Sequence, residues 1–317
     1  MVRQAEIERE LLLARDIQQG LLLEGVPQLR GWEMSAVSLP ARDLGGDLYD
    51  FLALSERSHG IMIGDVSGKG LPAALRMAVA RTVFRYEARR NQPPGVTLAG
   101  VNSGVISEIP QGMVTMLYAA LDTRSGEIRF ANAGHNYPVL IRAAASELEL
   151  NGLPLGVLDG NGYEEQVAQL DPGDVLLLYT DGITEATDRA EEMYGYERLE
   201  QVVLREQVRR PRSLVAALLQ ELRAWSAGDQ ADDITIVALR RRLSRPGDEL
   251  RVAAEDVLGR AAAAQLWEIP GMPGPDAAAD LWGEALGPLV QVAQQHHGRG
   301  LARELHGQFR LVLDDYR

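Results

Sequence analysis

Residues 113–142 read MVTMLYAALDTRSGEIRFANAGHNYPVLIR, and this stretch decides the fold class. It holds three strand-like runs, near 113–122, 126–133 and 137–142, separated only by short turns. No helix-length segment divides them, which argues for antiparallel sheets. Working outward, similar runs occur near 32–39, 47–54, 59–66, 164–169, 174–180 and 233–240. Helical patterns fall at 71–90, 95–108 and 211–226. In the first of these, Leu71, Leu75, Ala78, Val79, Thr82, Val83 and Tyr86 share one face, and Pro72 suits a first turn. Helices come in pairs while most strands follow one another directly. The pattern predicts an α+β fold of antiparallel sheets packed together and covered by helices, not a doubly wound βαβ array.

The two ends differ from this centre. Residues 5–24 read as a helix in which Ile7, Leu11, Ala14, Gln18 and Leu21 recur at alternating four- and three-residue steps, the seam of a short coiled coil. Fewer than three heptads are available, so a helix lying on its own domain is an equal reading. Gly25 and Pro27 end it. After Arg245-Pro246-Gly247 the chain turns Ala-rich: helix over 248–267, a Pro-Gly linker at 269–275, then helix at 276–295 and 301–315. Within the third piece Leu281, Trp282, Ala285, Leu286, Leu289 and Val290 form an apolar face that must cover something, either the core domain or a partner. The expected division is a dimerising or regulatory helix (1–26), a core domain (27–245) and a helical extension (246–317).

Composition narrows the function. The chain has 317 residues, 46% hydrophobic, with 45 Asp+Glu against 32 Lys+Arg and a formal net charge of -13. Such an acid excess disfavours nucleic acid as a partner. Arg240-Arg241-Arg242 reads as a solvated strand end. Cysteine is absent, which removes disulfides, thiolate nucleophiles, zinc-thiolate sites and Fe–S clusters. The opening MVRQAEIERE lacks the apolar core of a signal peptide, and no uncharged apolar run nears the ~20 residues that span a bilayer. The expectation is a cytoplasmic protein without a membrane partner.

Aspartate beside glycine at strand ends is the conspicuous chemical feature. It occurs as GGDLYD (45–50), GDVSGKG (64–70) and YTDG (179–182), with ADDI (231–234) a further aspartate pair at a strand start. Singly, each is an ordinary turn. Together, several carboxylates on one rim would repel unless cations lay between them, and hard oxygen donors suit Mg²⁺ or Mn²⁺. Other motifs fail on the same residues. GDVSGK is one residue short of a phosphate loop, and Gly70 stands where Ser or Thr belongs. No Gly-x-Ser-x-Gly elbow occurs. His135, in NAGHN, could donate a proton, although a turn histidine bonded to backbone is the plainer reading. His296, His297 and His306 lack zinc-like spacing.

Taken in order, GGDLYD, GDVSGKG, NAGHN, YTDGITEA and ADDITIVALR resemble the PPM-type metal-dependent protein serine/threonine phosphatases. The branch most similar is that of the sporulation protein SpoIIE and the stress regulator RsbU, and the resemblance covers about 1–242. It implies an αββα sandwich, with 27–245 as the phosphatase domain and a centre of two Mn²⁺ or Mg²⁺ ions at one edge. Asp47 and Asp65 match the bridging and flanking ligands, Val66 a backbone-carbonyl ligand, and Asp181 and Asp232 the remaining carboxylates; Asp233 is a weaker candidate. Arg42 could lean on the substrate phosphate. By resemblance, a metal-bridged hydroxide would attack phosphoserine or phosphothreonine on an anti-anti-sigma (STAS-domain) protein in partner-switching signalling. The heptad seam, for its part, predicts that residues 5–24 pair with a second copy, as a homodimer, or with a partner helix. The alternatives are an inactive binding module of the same fold and a small-molecule phosphoesterase.

Overall fold

Trp32–Leu39 (β1) pairs antiparallel along its whole length with Ile234–Arg241 (β10), from Trp32 opposite Arg241 to Leu39 opposite Ile234. The computed structural model describes residues 2–21, 25–109, 111–206, 210–226, 228 and 230–317. Among these, β1 and β10 join Val175–Tyr179 (β9), Val139–Ile141 (β6) and Ala145–Glu147 (β7) in a sheet ordered β1-β10-β9-β6-β7. A second sheet holds Leu48–Ala53 (β2), Ser58–Val66 (β3), Val114–Asp122 (β4), Glu127–Ala133 (β5) and Glu165–Gln169 (β8), in that order. Every pairing is antiparallel.

The αββα layering follows from strands buried on both faces. Along β9, Leu176 and Leu178 pack between the sheets, while Val175, Leu177 and Tyr179 face outward beneath Gly195–Glu206 (α4) and Pro211–Trp225 (α5). Along β3, Ile61 and Ile63 point inward and Met62 outward, under Leu71–Ala88 (α2) and Pro94–Glu108 (α3). Two-sided burial gives continuous apolar runs instead of alternation. The expected sandwich is the observed one. Neither α4 nor β7 is foreseen from the sequence: α4 buries only Leu199, Val202 and Val203 among charged neighbours, and β7 is three residues without a strand former.

Three local readings are corrected, the first being Arg240-Arg241-Arg242: it is no solvated strand end, because Arg240 is buried, and the Arg242 side chain nearly so, against Glu33 and Glu249. The apolar face assigned to α2 is its solvent face: Leu71, Leu75, Val79 and Tyr86 are exposed, and Ala73, Ala74, Met77, Ala80, Phe84 and Ala88 are buried. Small residues let the helix sit close to the sheet, and Asp50, fully buried on β2, holds it through Arg81 (3.1 Å) and Arg85 (3.3 Å). On Val2–Leu21 (α1), the seam turns toward its own chain, with Gln18 buried and Leu11, Ala14 and Leu21 half-buried, whereas Leu12, Leu13 and Ile17 face out. The side chain of Ile7 and residues 22–24 lie outside the described residues.

Beyond β10, Pro246–Leu258 (α6), Arg260–Leu266 (α7) and Ala279–Tyr316 (α8) gather their own apolar cluster around Leu250, Trp282, Leu289, Leu305 and Phe309. Trp282, Leu286 and Leu289 therefore cover neighbouring helices of the extension; Leu281, expected on the same face, is exposed. Gly259 breaks α6 from α7, and α8 kinks at Gly298, where φ is 86°.

Candidate functional site

Both sheets deliver aspartates to one edge. Leu48 opposes Gly64, so Asp47 at the mouth of β2 lies beside Asp65 near the end of β3. In the other sheet Tyr179 opposes Ile236, and the Thr180 N–H donates to the Thr235 carbonyl at 3.1 Å, which brings Asp181 level with Asp232 and Asp233. Two glycines allow the close approach. A Cβ on Gly46 would stand 2.6 Å from the Val66 carbonyl oxygen, and one on Gly182 would stand 2.0 Å from the Asp233 carbonyl. Neither gap admits a side chain.

The carboxylates act on one another. Burial, then the Asp65 charge, hold Asp47 well above the ordinary carboxylate range, although the Thr180 hydroxyl donates to its Oδ2 at 2.8 Å. Asp65 is pushed up to about 7 by burial and by the charges of Asp181, Asp232 and Asp233. Asp181 is raised by burial, Glu185 and Asp232. A carboxylate whose proton affinity is raised by neighbouring like charges also gains from a cation bound beside it. The donors are all oxygen, four carboxylates with the Val66 carbonyl close by. This chemistry fits a hard divalent ion and no soft one.

The neighbours of these groups decide how far they converge. Among the described residues, no three His, Asp or Glu side chains close on a point that could hold an ion. Asp47 is tied to Thr180, and the outer oxygen of Asp232 is tied to Lys69 at 2.9 Å. Asp233 faces the other way. Its Oδ1 accepts the Ala41 N–H at 2.7 Å and its Oδ2 the Gly46 N–H at 2.6 Å, so it clamps the loop before Asp47. From the other side Gln18 donates to the Gly45 carbonyl at 2.7 Å and accepts the Gly45 N–H at 3.2 Å. Arg42 is exposed on this clamped loop. His135 is a turn residue: Asn132 brackets its backbone on both sides, and its Nδ1 meets the Thr115 hydroxyl at 2.9 Å.

Gln18, Thr180 and Lys69 were not singled out as site residues from the sequence. Gln18 is separated from its partner by 27 positions and carries no charge pattern; Thr180 and Lys69 stand inside motifs whose aspartates drew the reading.

The sequence profile described as Stage II sporulation protein E (SpoIIE) matches residues 55–242. The chain belongs to the SpoIIE family. It is a PPM-type phosphatase family, and two relatives and one solved structure are similar to this chain. Phosphoserine phosphatase RsbU of Bacillus subtilis (strain 168) is 31% identical over 246 residues, which span 76% of this chain and 72% of that protein. Protein IcfG of Synechocystis sp. (strain ATCC 27184 / PCC 6803 / Kazusa) is 29% identical over 264 residues, 73% of this chain but only 41% of IcfG. The SiaA-PP2C domain of Pseudomonas aeruginosa shares the fold of this SpoIIE-family chain with a TM-score of 0.67 at 23% identity, covering 75% of this chain and 98% of that one.

Proposed function

We propose that this chain is a divalent-metal-dependent phosphatase acting on phosphoserine or phosphothreonine, with Asp47, Asp65, Asp181, Asp232 and the Val66 carbonyl holding two Mn²⁺ or Mg²⁺ ions. The observation that carries the reading is the shared edge, where strand register sets Asp47 beside Asp65 and Asp181 level with Asp232, and where, on top of burial, Asp181 and Asp232 raise the proton affinity of Asp65 as Asp65 raises that of Asp47. When bound, such ions neutralise phosphoryl oxygens and acidify water, so no nucleophilic side chain is required. The chain's own residues supply the placement. Thr180 fixes the orientation of Asp47, while Asp233 and Gln18 hold the loop that delivers it. Arg42, exposed on that loop, is the side chain we assign to the substrate phosphoryl group.

A protein substrate is favoured over a small phosphoester by α2. This helix starts directly after GDVSGKG and offers Leu71, Leu75 and Val79 to solvent, an apolar stripe beside the site that a small phosphoester would not need. We infer that the substrate is a phosphorylated STAS-domain protein in cytoplasmic partner-switching signalling. We also infer that Leu12, Leu13 and Ile17, the outward residues of α1, mediate self-association. No described helix is long and apolar enough to cross a membrane.

The test is release of phosphate from a panel of phosphorylated STAS proteins of the same genome, with Mn²⁺, with Mg²⁺ and with excess chelator. Turnover with either metal and none with chelator is expected. Full turnover in chelator overturns the metal reading, and no turnover under any condition leaves the inactive binding module.

A further inference from the structure

The chain carries 31 arginines and a single lysine, Lys69. That lysine is at the site. Its ammonium donates to Asp232 Oδ2 at 2.9 Å and to the Ala231 carbonyl at 2.7 Å. The other oxygen of Asp232 accepts the Asp233 N–H at 2.9 Å, so both oxygens of this carboxylate are engaged. Among the described residues Lys69 is the one basic side chain ion-paired with Asp47, Asp65, Asp181 or Asp232. The loop is shaped to present it. Gly68 and Gly70 flank it with φ of 102° and 72°, conformations that side chains rarely adopt.

An ordinary surface ion pair is worth little, and both partners here are about two-fifths exposed. Chemistry and position set this pair apart. Arginine would grip a carboxylate with two parallel bonds, and arginine is the choice at the buried pairs of this chain, such as Arg240 with Glu249. Lysine is a compact, strongly hydrated charge on a flexible stem. It holds one oxygen and lets go easily. A lone lysine placed on a part-exposed acid of the cluster suits an interaction that has to be broken.

We propose that Lys69 is a displaceable counter-cation of the metal centre: it engages Asp232 until a divalent ion takes that oxygen, and then swings clear. Lys69 is thus a positioning residue that opposes metal binding. The proposal rests on the metal reading above.

The single lysine supplies a direct readout. Full-length protein labelled with [¹³C]lysine gives one lysine ε-methylene signal. Titration with Mg²⁺, a diamagnetic ion, should move that signal toward the position of free lysine, and chelator should return it. Calorimetry on the same protein should rank Mn²⁺ affinity as Lys69→Met, then wild type, then Lys69→Arg. The methionine variant should bind roughly five- to tenfold tighter, the order expected for removing a like charge beside a partly exposed site. The gain should persist at high salt, where long-range repulsion is screened but displacement by contact is not.

A lysine that merely braces the loop predicts the opposite sign, weaker binding by Lys69→Met. Unchanged or weaker binding, a gain that salt abolishes, or a lysine signal fixed while calorimetry records Mg²⁺ binding, each overturns the assignment and leaves the metal reading intact. If wild-type protein binds neither ion, the metal reading falls and this one falls with it.

Discussion

Asp233 accepts backbone N–H groups from Ala41 and Gly46, whereas its neighbour Asp232 faces Lys69 and the cluster. Mutation should separate the two. Asp233→Ala leaves two donors of the Asp47 loop without their charged acceptor, at about 1.5–3 kcal/mol for each such bond, so denaturant melts should show a stability loss of this order. Asp65→Asn and Asp181→Asn act differently. Each removes charge from the proposed ion site and should lower phosphate release at least ~10²-fold, the usual scale for losing one transition-state electrostatic group. Stability should hold or rise, because mutual repulsion is relieved. A variant as active as wild type removes that residue from the site. His135 supplies a pH dependence. Burial holds its ring down to about 4 against an ordinary 6.5, so the fold keeps it neutral while the unfolded chain takes up a proton. Its contribution is therefore complete above pH 6.5 and is lost as pH falls toward 4, by about 3 kcal/mol in all. The melting temperature of His135→Gln should fall less than that of wild type between pH 7 and 4.5; parallel curves would refute this.

At the scale of elements, α1 reaches the site through one side chain. Gln18→Ala removes both bonds to Gly45 and frees the loop that carries Asp47, so kcat should fall several-fold while the melt shifts little. Leu12→Glu with Ile17→Glu leaves Gln18 in place and charges the outward face. In sedimentation these variants should abolish self-association, and an unchanged mass would show that α1 serves its own chain alone. The same helix shows what the sequence could and could not tell. The heptad spacing of Leu11, Ala14, Gln18 and Leu21 identified the inward face but not what it meets, because the meeting partner, Gly45, has no side chain. The sandwich strands were legible because two-sided burial writes itself as apolar runs, as in Val175 to Tyr179. The face of α2 was not. Its core side is built of alanines, which hydrophobic spacing underweights, and its leucines point at solvent. Asp47, Asp65 and Asp181 stood out by their glycines, and Asp232 by its place at the head of an apolar strand. Asp233 was visible as a weaker ligand candidate, but its hold on the Ala41 and Gly46 N–H groups carries no mark in the sequence.

Across the whole molecule, the extension joins the sandwich through charge. Its apolar cluster is separate from the three of the sandwich, and the seam between them is a network of buried ions. Arg240 on β10 meets both oxygens of Glu249 on α6 at 2.6 and 3.0 Å, and reaches Glu33 on β1 at 3.1 Å. Arg242 pairs with Asp315 on α8 at 2.7 Å. Beside them lies a cleft of about 700 Å³ between β1, α5 and α8. Because the apolar clusters of extension and sandwich are separate among the described residues, deletion and point mutation should rank in an unusual order. Removing 246–317 takes Glu249 and Asp315 away but also opens Arg240 and Arg242 to water, which solvates them. Glu249→Ala in the full chain removes the bidentate acid while the extension still shields Arg240, and breaking a buried pair from one side costs about 3–5 kcal/mol. The shortened chain should therefore melt as a soluble protein closer to wild type than the point variant does. Aggregation of the shortened chain would mean that the seam hides apolar surface after all. Glu249→Gln, which keeps one acceptor for Arg240 and loses the charge, should fall between wild type and Glu249→Ala. A melt of Glu249→Ala equal to wild type would show that water already reaches Arg240 through the cleft, and that the seam is a wet contact with little hold on the extension.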